Sequence, residues 1–344
     1  MEYGAIDLHL RRSQIRIIDE QEQIVVDRRV DTTRTDFERI FGDRARMRIL
    51  IESSTESEWV AQHLEGLGHE VVVVDPTYAA MYGSRSRKVK TDKRDVAALA
   101  HANRHGVYRR AHRVPLGTRI LRQQLRVRRQ LVQQRTALVN LLRALLRQEG
   151  VRLPSGQTET VLARVDRLAV PGTLQTALTP VRTILEALNE MLAQMDGMFK
   201  ARAATDAVTH RLMTAPGVGP ILALTFQAVL DTPARFGGDA RRVSAFVGLV
   251  PREDSSADRR HKGSITKTGP NDLRALLVQG SWAIWHSRSA RAAPLRRWAQ
   301  TLSARRGRRI AVVAVARRLT RVLYAMWRDG TDFRPAALVG ASIA

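Results

Sequence analysis

The chain has 344 residues, and its 57 Lys and Arg against 33 Asp and Glu give a formal net charge of +24 at pH 7. It contains no cysteine, which excludes disulfide frameworks, zinc ribbons, iron–sulfur clusters and thiol nucleophiles. With 44% hydrophobic and 26% charged residues, the composition predicts a folded protein with room for about two domains and excludes a disordered chain.

The charge is unevenly distributed. Residues 1–100 carry 16 basic and 18 acidic side chains, residues 101–150 carry 12 Arg against Glu149 alone, and residues 151–344 carry 29 basic against 14 acidic. Such an excess predicts a polyanionic partner, with nucleic acid first, because basic side chains that neutralise phosphates release condensed counterions. No apolar run approaches the roughly 20 residues that cross a bilayer, so we expect a cytoplasmic protein without a membrane partner.

The first hundred residues predict an α/β domain, because short runs rich in β-branched residues give way to alternating helix and strand patterns. Three strands in a meander followed by this alternation is the ribonuclease H-like order. The predicted strands are residues 3–8, 14–18, 24–30, 47–51 and 71–74, and the predicted helices are residues 35–41 and 56–67.

The rest of the chain predicts helices. Apolar positions recur about every 3.5 residues over 117–148, and a second seam spans 181–195, so the two helices should pair as an antiparallel or an intersubunit coiled coil. Core helices of an ordinary bundle are the alternative. The turn at 215–220 resembles that of a helix-hairpin-helix, in which Gly217 and Gly219 let a helix approach a phosphate. A tight interhelical turn is the alternative there.

Four carboxylates predict a metal site. Asp7 lies in the first strand, Glu52 directly follows the fourth, and Asp92 and Asp95 open a helix at a spacing that shares one face. Adjacent parallel strands would bring the first two together at the edge where α/β sheets bind ligands. Four converging carboxylates repel without cations, which predicts two Mg²⁺ ions for phosphodiester chemistry. The alternatives are a helix N-cap for Asp92 and a satisfied core acid for Asp7.

Two further polar features carry weaker predictions. His101 and His105 are one helical turn apart, but no third ligand is evident nearby, so we expect a polar helix face. Residues 246–269 predict a surface loop around Ser255 and Ser256. Basic side chains there would suit a bound phosphate; they are Arg252, Arg259, Arg260 and Lys262, with Lys267 following.

Taken together and in this order, these motifs resemble the DEDD transposases of bacterial insertion-sequence family one-ten. The match spans nearly the whole chain, and its motifs are weak singly but specific jointly. The segments that carry it are Ile6-Asp7, Ile51-Glu52, residues 90–95, Pro216-Gly217-Val218-Gly219, residues 248–251 and residues 263–267.

The resemblance implies a recombinase that excises and inserts its own element, guided by a structured bridge RNA that pairs with donor and target DNA. It implies a RuvC-like domain over residues 1–112, a coiled-coil arm over 113–203 and a C-terminal transposase domain over 204–344. In similar proteins the four carboxylates bind the metal ions, and the nucleophile is a serine five residues after the proline of the Gly-Leu-x-Pro run, which is Ser256 here. Because Ala257 stands where many such proteins have glycine, Ser255 is the alternate.

Similar proteins assemble as dimers and tetramers, in which the carboxylate site of one subunit faces the serine of another and a 5′-phosphoserine link forms. Nucleoid association when bound to DNA is expected. Two other hypotheses stay open: a RuvC-like nuclease or junction resolvase that uses water, and a non-catalytic basic protein that binds nucleic acid. The residues assigned to nucleic-acid binding are Arg126, Arg129, Gly217, Gly219, Arg252, Arg259, Arg260, Lys262, Lys267, Arg305, Arg306, Arg308 and Arg309.

Overall fold

The computed structural model of the protein describes residues 1–75, 92–256 and 259–335, with the backbone alone described over 254–256 and 259–262. The chain divides into two compact units, Met1–Val114 and Pro115–Ala344. The first is a mixed α/β unit and the second is mostly helical. Across the described ranges, no helix combines the length and the apolar character that crossing a bilayer requires.

The first unit is built on one five-stranded sheet. Its strands are β1 (Tyr3–Asp7), β2 (Arg12–Ile18), β3 (Ile24–Asp31), β4 (Arg48–Glu52) and β5 (Glu70–Val74). Their order in the sheet is β3-β2-β1-β4-β5, with β2 antiparallel to both its neighbours and β1, β4 and β5 parallel. The predicted strands are therefore confirmed to within two residues at each end.

Helices cover both faces of this sheet; they are α1 (Arg34–Phe41), α2 (Ser57–Gly66) and α3 (Asp92–His105). Successive side chains of a strand point to opposite faces. Ile6 and Ile51 accordingly pack in the core that holds α1 and α2, whereas Ala5 and Leu50 pack in the core beneath α3. Asp7 and Glu52 come two residues after Ala5 and Leu50 in their strands. They therefore lie on the same face of the sheet, the one that α3 covers.

The second unit contains a pair of long helices and a helical bundle. Its elements are α4 (Leu116–Gln148), α5 (Val161–Val165), α6 (Gly172–Thr205), α7 (Ala207–Leu212), α8 (Pro220–Leu230), α9 (Ala240–Phe246), β6 (Pro251–Ser256), β7 (Arg259–Ile265), α10 (Asn271–His286), α11 (Ala293–Arg306) and α12 (Arg308–Asp329). The bundle core surrounds α12, where Leu319, Leu323 and Tyr324 are fully buried. The hydroxyl of Tyr324 donates to the carbonyl of Pro233 (3.0 Å).

The two long helices pair antiparallel within the chain. Leu146, near the end of α4, packs with Leu178 near the start of α6. At the opposite end, Leu121 packs with Phe199. The middle of the seam is polar, because Arg128 donates to Asp196 across the pair (Nη2 to Oδ2, 3.0 Å). Apolar burial therefore joins the helices at both ends and an ion pair joins them between.

The prediction of a surface loop over 246–269 is wrong, because most of this segment forms an antiparallel hairpin of β6 and β7. Polar strands such as these show no alternation of apolar and polar residues, so sequence periodicity does not reveal them. Antiparallel pairing nevertheless satisfies their backbone N–H and C=O groups, whatever the side chains are.

Candidate active site

Asp7 and Glu52 end two neighbouring parallel strands. Ile6 of β1 is paired with Ile51 of β4, so the two carboxylates occupy the next position of the same register at the carboxyl edge of the sheet. Both lie on the face covered by α3, since they follow Ala5 and Leu50 by two residues. The sheet therefore places Asp7 and Glu52 side by side and beneath one helix.

Asn103 sets the direction in which α3 crosses those strands. Its fully buried side-chain amide donates to the carbonyls of Gly4 and Arg48, both at 2.8 Å, near the start of β1 and β4. Asp95 precedes Asn103 by about 12 Å of helix, and Asp7 follows Gly4 by about 10 Å of strand. The N-terminal turn of α3 thus lies level with the carboxyl edge of the sheet.

The close cluster at this edge consists of Asp7, His9 and Asp92. Nε2 of His9 lies 3.4 Å from Oδ2 of Asp7 and 3.6 Å from Oδ1 of Asp92. The potential ligand atoms of the three residues all lie within 4.8 Å of one another. Glu52 and Asp95, which have contacts of their own, are not members of that group of three. The structure therefore brings two of the four predicted carboxylates into immediate proximity.

Two side chains for which the sequence predicts no role, His9 and Arg29, border the cluster. His9 follows Asp7 by two residues, so continued strand alternation was a signal that could have found it. Arg29 of β3 places Nη2 3.6 Å from Oδ2 of Asp92, a contact across 63 positions that no local pattern shows. The Arg29 guanidinium balances part of the negative charge of the cluster, which matters because the Asp7 side chain is only 10% exposed.

The donor set fits a divalent metal ion. Carboxylate oxygens suit Mg²⁺ and Mn²⁺, and an added imidazole nitrogen favours Mn²⁺ of the two.

Asp92 is the first residue of α3 rather than its N-cap, and Asp95 lies in the same turn. Lys90 and Thr91 of the same motif lie outside the described residues.

Ser256 is the last residue of β6, at the tip of the hairpin. Its backbone is paired with Arg259, and that of Ser255 with Arg260. The side chains of these four residues and of Lys262 lie outside the described part of the structure. Because the described strands stop on either side of residues 257–258, Ser256 occupies the end of the hairpin furthest from its base.

The base of that hairpin is held by two glycines and one buried arginine. Gly248 and Gly269 have positive φ angles of 72° and 70°. A Cβ on Gly248 would lie 2.3 Å from the carbonyl oxygen of Thr268, and one on Gly269 would lie 1.9 Å from that of Phe246. Buried Arg274 donates to the Thr268 carbonyl at 2.8 Å. The Gly-Leu-Val-Pro run and the Thr-Gly segment therefore interlock and set where the hairpin begins.

Gly217 and Gly219 have different surroundings. A Cβ on Gly217 would lie 2.3 Å from the carbonyl oxygen of Gly280 in α10, so glycine is needed there for close packing of two backbones. Gly219 precedes α8, is exposed, and faces open space. The tight interhelical turn predicted as an alternative therefore accounts for Gly217, and a phosphate-binding role stays a prediction for Gly219.

An exposed arginine cluster, Arg305, Arg306, Arg308 and Arg309, surrounds the junction of α11 and α12 at Gly307. The first two lie in the last turn of α11, where positive charge is favourable. The other two lie in the first turn of α12, where positive charge opposes the helix dipole. The two charges at the start of α12 therefore cost stability, and their binding to nucleic acid stays a prediction.

The other assigned basic residues differ in availability. Arg126, Arg252 and Lys267 are exposed. Arg129 is already paired with Asp272 at the start of α10, so a phosphate would have to displace that carboxylate.

Replacing Arg308 and Arg309 together by Gln should weaken binding to duplex DNA and flatten its dependence on salt. The slope of log K against log salt should fall by up to about 1.8, about 0.9 for each phosphate that the variant no longer neutralises. The free energy of unfolding should rise by about 1 kcal/mol, because two charges that oppose the dipole are removed.

The matched control replaces Arg305 and Arg306 by Gln. Binding should flatten in the same way, but the free energy of unfolding should fall instead, since those charges favour the dipole. Fluorescence anisotropy at several salt concentrations and chemical denaturation measure the two quantities. An unchanged salt slope in the Arg308 and Arg309 variant would show that this cluster does not contact phosphates.

Comparison with known proteins finds two family matches in this chain. A profile of DEDD transposases of the IS110 type, described as "Transposase", matches residues 5–150. A second, described as "Transposase IS116/IS110/IS902 family", matches residues 209–295. The first covers the sheet and its carboxylates, and the second covers the hairpin and its base.

Full-length relatives carry the same description. The "Probable family 20 transposase" of Pseudomonas aeruginosa is 28% identical over 337 residues, which cover 96% of this chain and 98% of the relative. The transposase for insertion sequence element IS1111A of Coxiella burnetii is 27% identical, with 79% of this chain and 75% of the relative covered. That for IS1328 of Yersinia enterocolitica is 26% identical, with 83% and 85% covered. The chain therefore belongs to the IS110 family of transposases and is an enzyme of DNA transposition.

Proposed function

We propose that this transposase is an RNA-guided recombinase that cuts and rejoins the strands of an insertion sequence with a metal-binding carboxylate site and Ser256 as nucleophile. The observation that carries the proposal is the cluster of Asp7, His9 and Asp92 at the carboxyl edge of the sheet. The sheet order, with only β2 antiparallel to β1, β4 and β5, supports a RuvC-like (ribonuclease H-like) domain over residues 1–112.

Asp7, Glu52, Asp92 and Asp95 would hold two Mg²⁺ ions. Such a pair of ions activates an attacking oxygen and stabilises a leaving oxygen in phosphodiester chemistry. The protein's part is to hold the carboxylates in place. The register of the sheet positions Asp7 and Glu52, and the hydrogen bonds of Asn103 position the helix that carries Asp92 and Asp95. Arg29, with a half-exposed side chain beside Asp92, would contact the scissile phosphate.

Ser256 would attack the phosphodiester through its hydroxyl and form a 5′-phosphoserine link, while the 3′ oxygen leaves. The link conserves the bond energy for rejoining the strands. Ser256 and the carboxylates belong to different compact units of the chain. We therefore propose, with the family resemblance, that a site is completed when the carboxylates of one subunit meet the serine of another in a tetramer.

Exposed apolar residues on the two long helices support a homo-oligomer. Ile184, Met191 and Met198 of α6 recur at intervals of seven, and each is between 43% and 53% exposed. Ile120 and Val127 of α4 show the same interval on a side that α6 leaves uncovered. A heptad seam left exposed in one chain is the pattern of a coiled-coil contact with another copy. We propose an arm over residues 113–203 that pairs subunits and a transposase domain over 204–344.

RNA guidance comes from the family resemblance, and a direct experiment tests it. RNA that copurifies with the protein from its own host should contain one discrete structured species, and adding that species should permit strand exchange between donor and target DNA with Mg²⁺. Heterogeneous RNA, together with exchange that proceeds equally without RNA, would overturn the guided mechanism and leave the metal site and serine to be tested separately.

His9 should supply a nitrogen ligand to a metal ion at this cluster. Replacing it by Gln should remove the nitrogen coupling that pulsed electron paramagnetic resonance detects on bound Mn²⁺, and should weaken Mn²⁺ binding more than Mg²⁺ binding, because imidazole suits the softer ion. A nitrogen coupling is assigned to Mn²⁺ at this cluster only if Asp7→Asn also abolishes it. His286→Gln is the matched control, and persistence of that coupling in His9→Gln would show that His9 is not a ligand.

A further inference from the structure

A second group of potential metal ligands lies at the other end of α3. His101 and His105 occupy neighbouring turns of its exposed face, and Glu22 reaches them from the turn between β2 and β3. Nδ1 of His101 lies 3.3 Å from Oε2 of Glu22, and Nε2 of His105 lies 3.1 Å from Oε1. From Asp92 to His105 the helix spans about 20 Å, so this group is separate from the carboxylate site.

The turn holds Glu22 in an unusual backbone conformation. Glu22 has a φ of 64°, in a region that residues other than glycine seldom occupy. The carboxylate of Asp19 accepts from the backbone N–H groups of Gln21 (2.9 Å) and Gln23 (2.8 Å) on either side. The turn is therefore stiff, and the Glu22 carboxylate is presented to α3 with little freedom to lose on binding.

The three side chains are close enough together to bind one zinc ion. With metal–ligand bonds of about 2.1 Å, neighbouring ligand atoms in a tetrahedron lie about 3.4 Å apart. The two observed distances of 3.1 and 3.3 Å run to different oxygens of Glu22, and the ligand atoms of the three residues all lie within 4.8 Å of one another, so small side-chain shifts would bring them to one ion. Two imidazoles and one carboxylate are a donor set that zinc sites use, with a fourth position left for water.

The Arg104 side chain brings a positive charge to the same position. Nη1 of Arg104 donates to Oε1 of Glu22 (2.6 Å) and lies 3.2 Å from Nε2 of His105. Arg104 also donates from Nε to the carbonyl of Glu20 (2.9 Å), a contact that it keeps if its terminal nitrogen gives way to a metal ion.

We propose that Glu22, His101 and His105 form a second metal site of the zinc class, which fastens the β2–β3 turn to the C-terminal end of α3. Sequence proximity shows no third ligand for the two histidines, because Glu22 lies 79 positions before His101. The site rests on this geometry alone and does not depend on the proposed recombination mechanism. By fixing one end of α3, the ion would also steady the end that carries Asp92 and Asp95.

Metal binding to the full chain, stripped of metal beforehand, tests this proposal. Co²⁺ should develop the strong visible absorption of a tetrahedral site, Zn²⁺ should displace it, and a large excess of Mg²⁺ should not. Zn²⁺ should raise the Tm by a few degrees. His101→Gln, His105→Gln and Glu22→Gln should each weaken Zn²⁺ binding at least about tenfold, whereas the exposed control His210→Gln should not.

Two further variants separate this site from its competitors. Arg104→Gln removes the competing cation and should tighten Zn²⁺ binding. If the group is an ion-pair clamp only, Arg104→Gln lowers the Tm without any gain in Zn²⁺ affinity, and the proposal is overturned. If Asp7→Asn abolishes the Co²⁺ absorption and His101→Gln does not, the ion sits at the carboxylate site, which overturns the proposal as well.

Discussion

Replacing Asp7 by Asn should abolish Mg²⁺-dependent strand cleavage while the protein still folds and binds nucleic acid. Asp7 lies at the edge of the sheet next to Glu52, is nearly buried, and shares His9 with Asp92. A metal ion supplies several kcal/mol of transition-state stabilisation, and a loss of about 4 kcal/mol corresponds to about a thousandfold in rate. Asn keeps the size of the side chain and removes its charge, so packing around the site is conserved.

The free energy of unfolding gives a second expected result for the same variant. Without metal, the Asp7 and Asp92 carboxylates lie close together and repel, so Asp7→Asn should not destabilise the protein and should remove the stabilisation that Mg²⁺ gives the wild type. Asp31→Asn is the matched control, because Asp31 lies on β3 in an exposed ion pair with Arg12 (3.1 Å). Cleavage by Asp7→Asn within tenfold of the wild type would show that the Asp7 carboxylate holds no metal ion that cleavage requires.

Replacing Ser256 by Ala should eliminate the covalent DNA–protein link, and replacing Ser255 by Ala should leave it. The hydroxyl is the attacking group in the proposed mechanism, and alanine has no atom that could take its place. Denaturing gels of DNA labelled on the 3′ side of the cut read out the adduct directly, because that fragment carries the 5′ phosphate that is joined to the serine. Since the two serines are neighbours in β6, Ser255→Ala controls for changes in the hairpin itself.

The Ser256→Ala result also separates the catalytic hypotheses. DNA cleavage without an adduct in both wild type and variant would mean that water is the nucleophile, as in a nuclease or junction resolvase. Loss of both adduct and cleavage supports the serine mechanism. Mixed assemblies of Asp7→Asn and Ser256→Ala subunits should then recover strand exchange, because a site shared between subunits can draw its intact carboxylates from one and its intact serine from the other.

Local patterns predicted most of the architecture. The strands of the first unit follow from short β-branched runs, and the two long helices follow from apolar residues spaced at 3.5 positions, because both periodicities are properties of adjacent turns or pleats. The hairpin of β6 and β7 was missed for the complementary reason. Its strands are polar throughout, and what positions them is the contact of Gly248 and Gly269 with distant carbonyls and the hydrogen bonds of Arg274.

The carboxylate site was partly predictable. Asp7 and Glu52 stand at strand ends, and parallel neighbours share an edge, so their adjacency could be inferred before the register was known. His9 could have been found by continuing the alternation of the first strand. Arg29 could not, because its distance from Asp92 depends on how β3 pairs with β2 and on how α3 crosses the sheet.

Local sequence patterns were thus enough to locate the strands of the first unit and the two long helices, and the sequence itself shows that positive charge is concentrated beyond residue 100. Only the tertiary structure shows that Glu22 contacts His101 and His105, that Gly217 packs against Gly280, and that Arg129 is paired with Asp272. The difference has one physical reason. Contacts between segments far apart in the chain are set by strand register and helix packing, and neither can be inferred from a few consecutive residues.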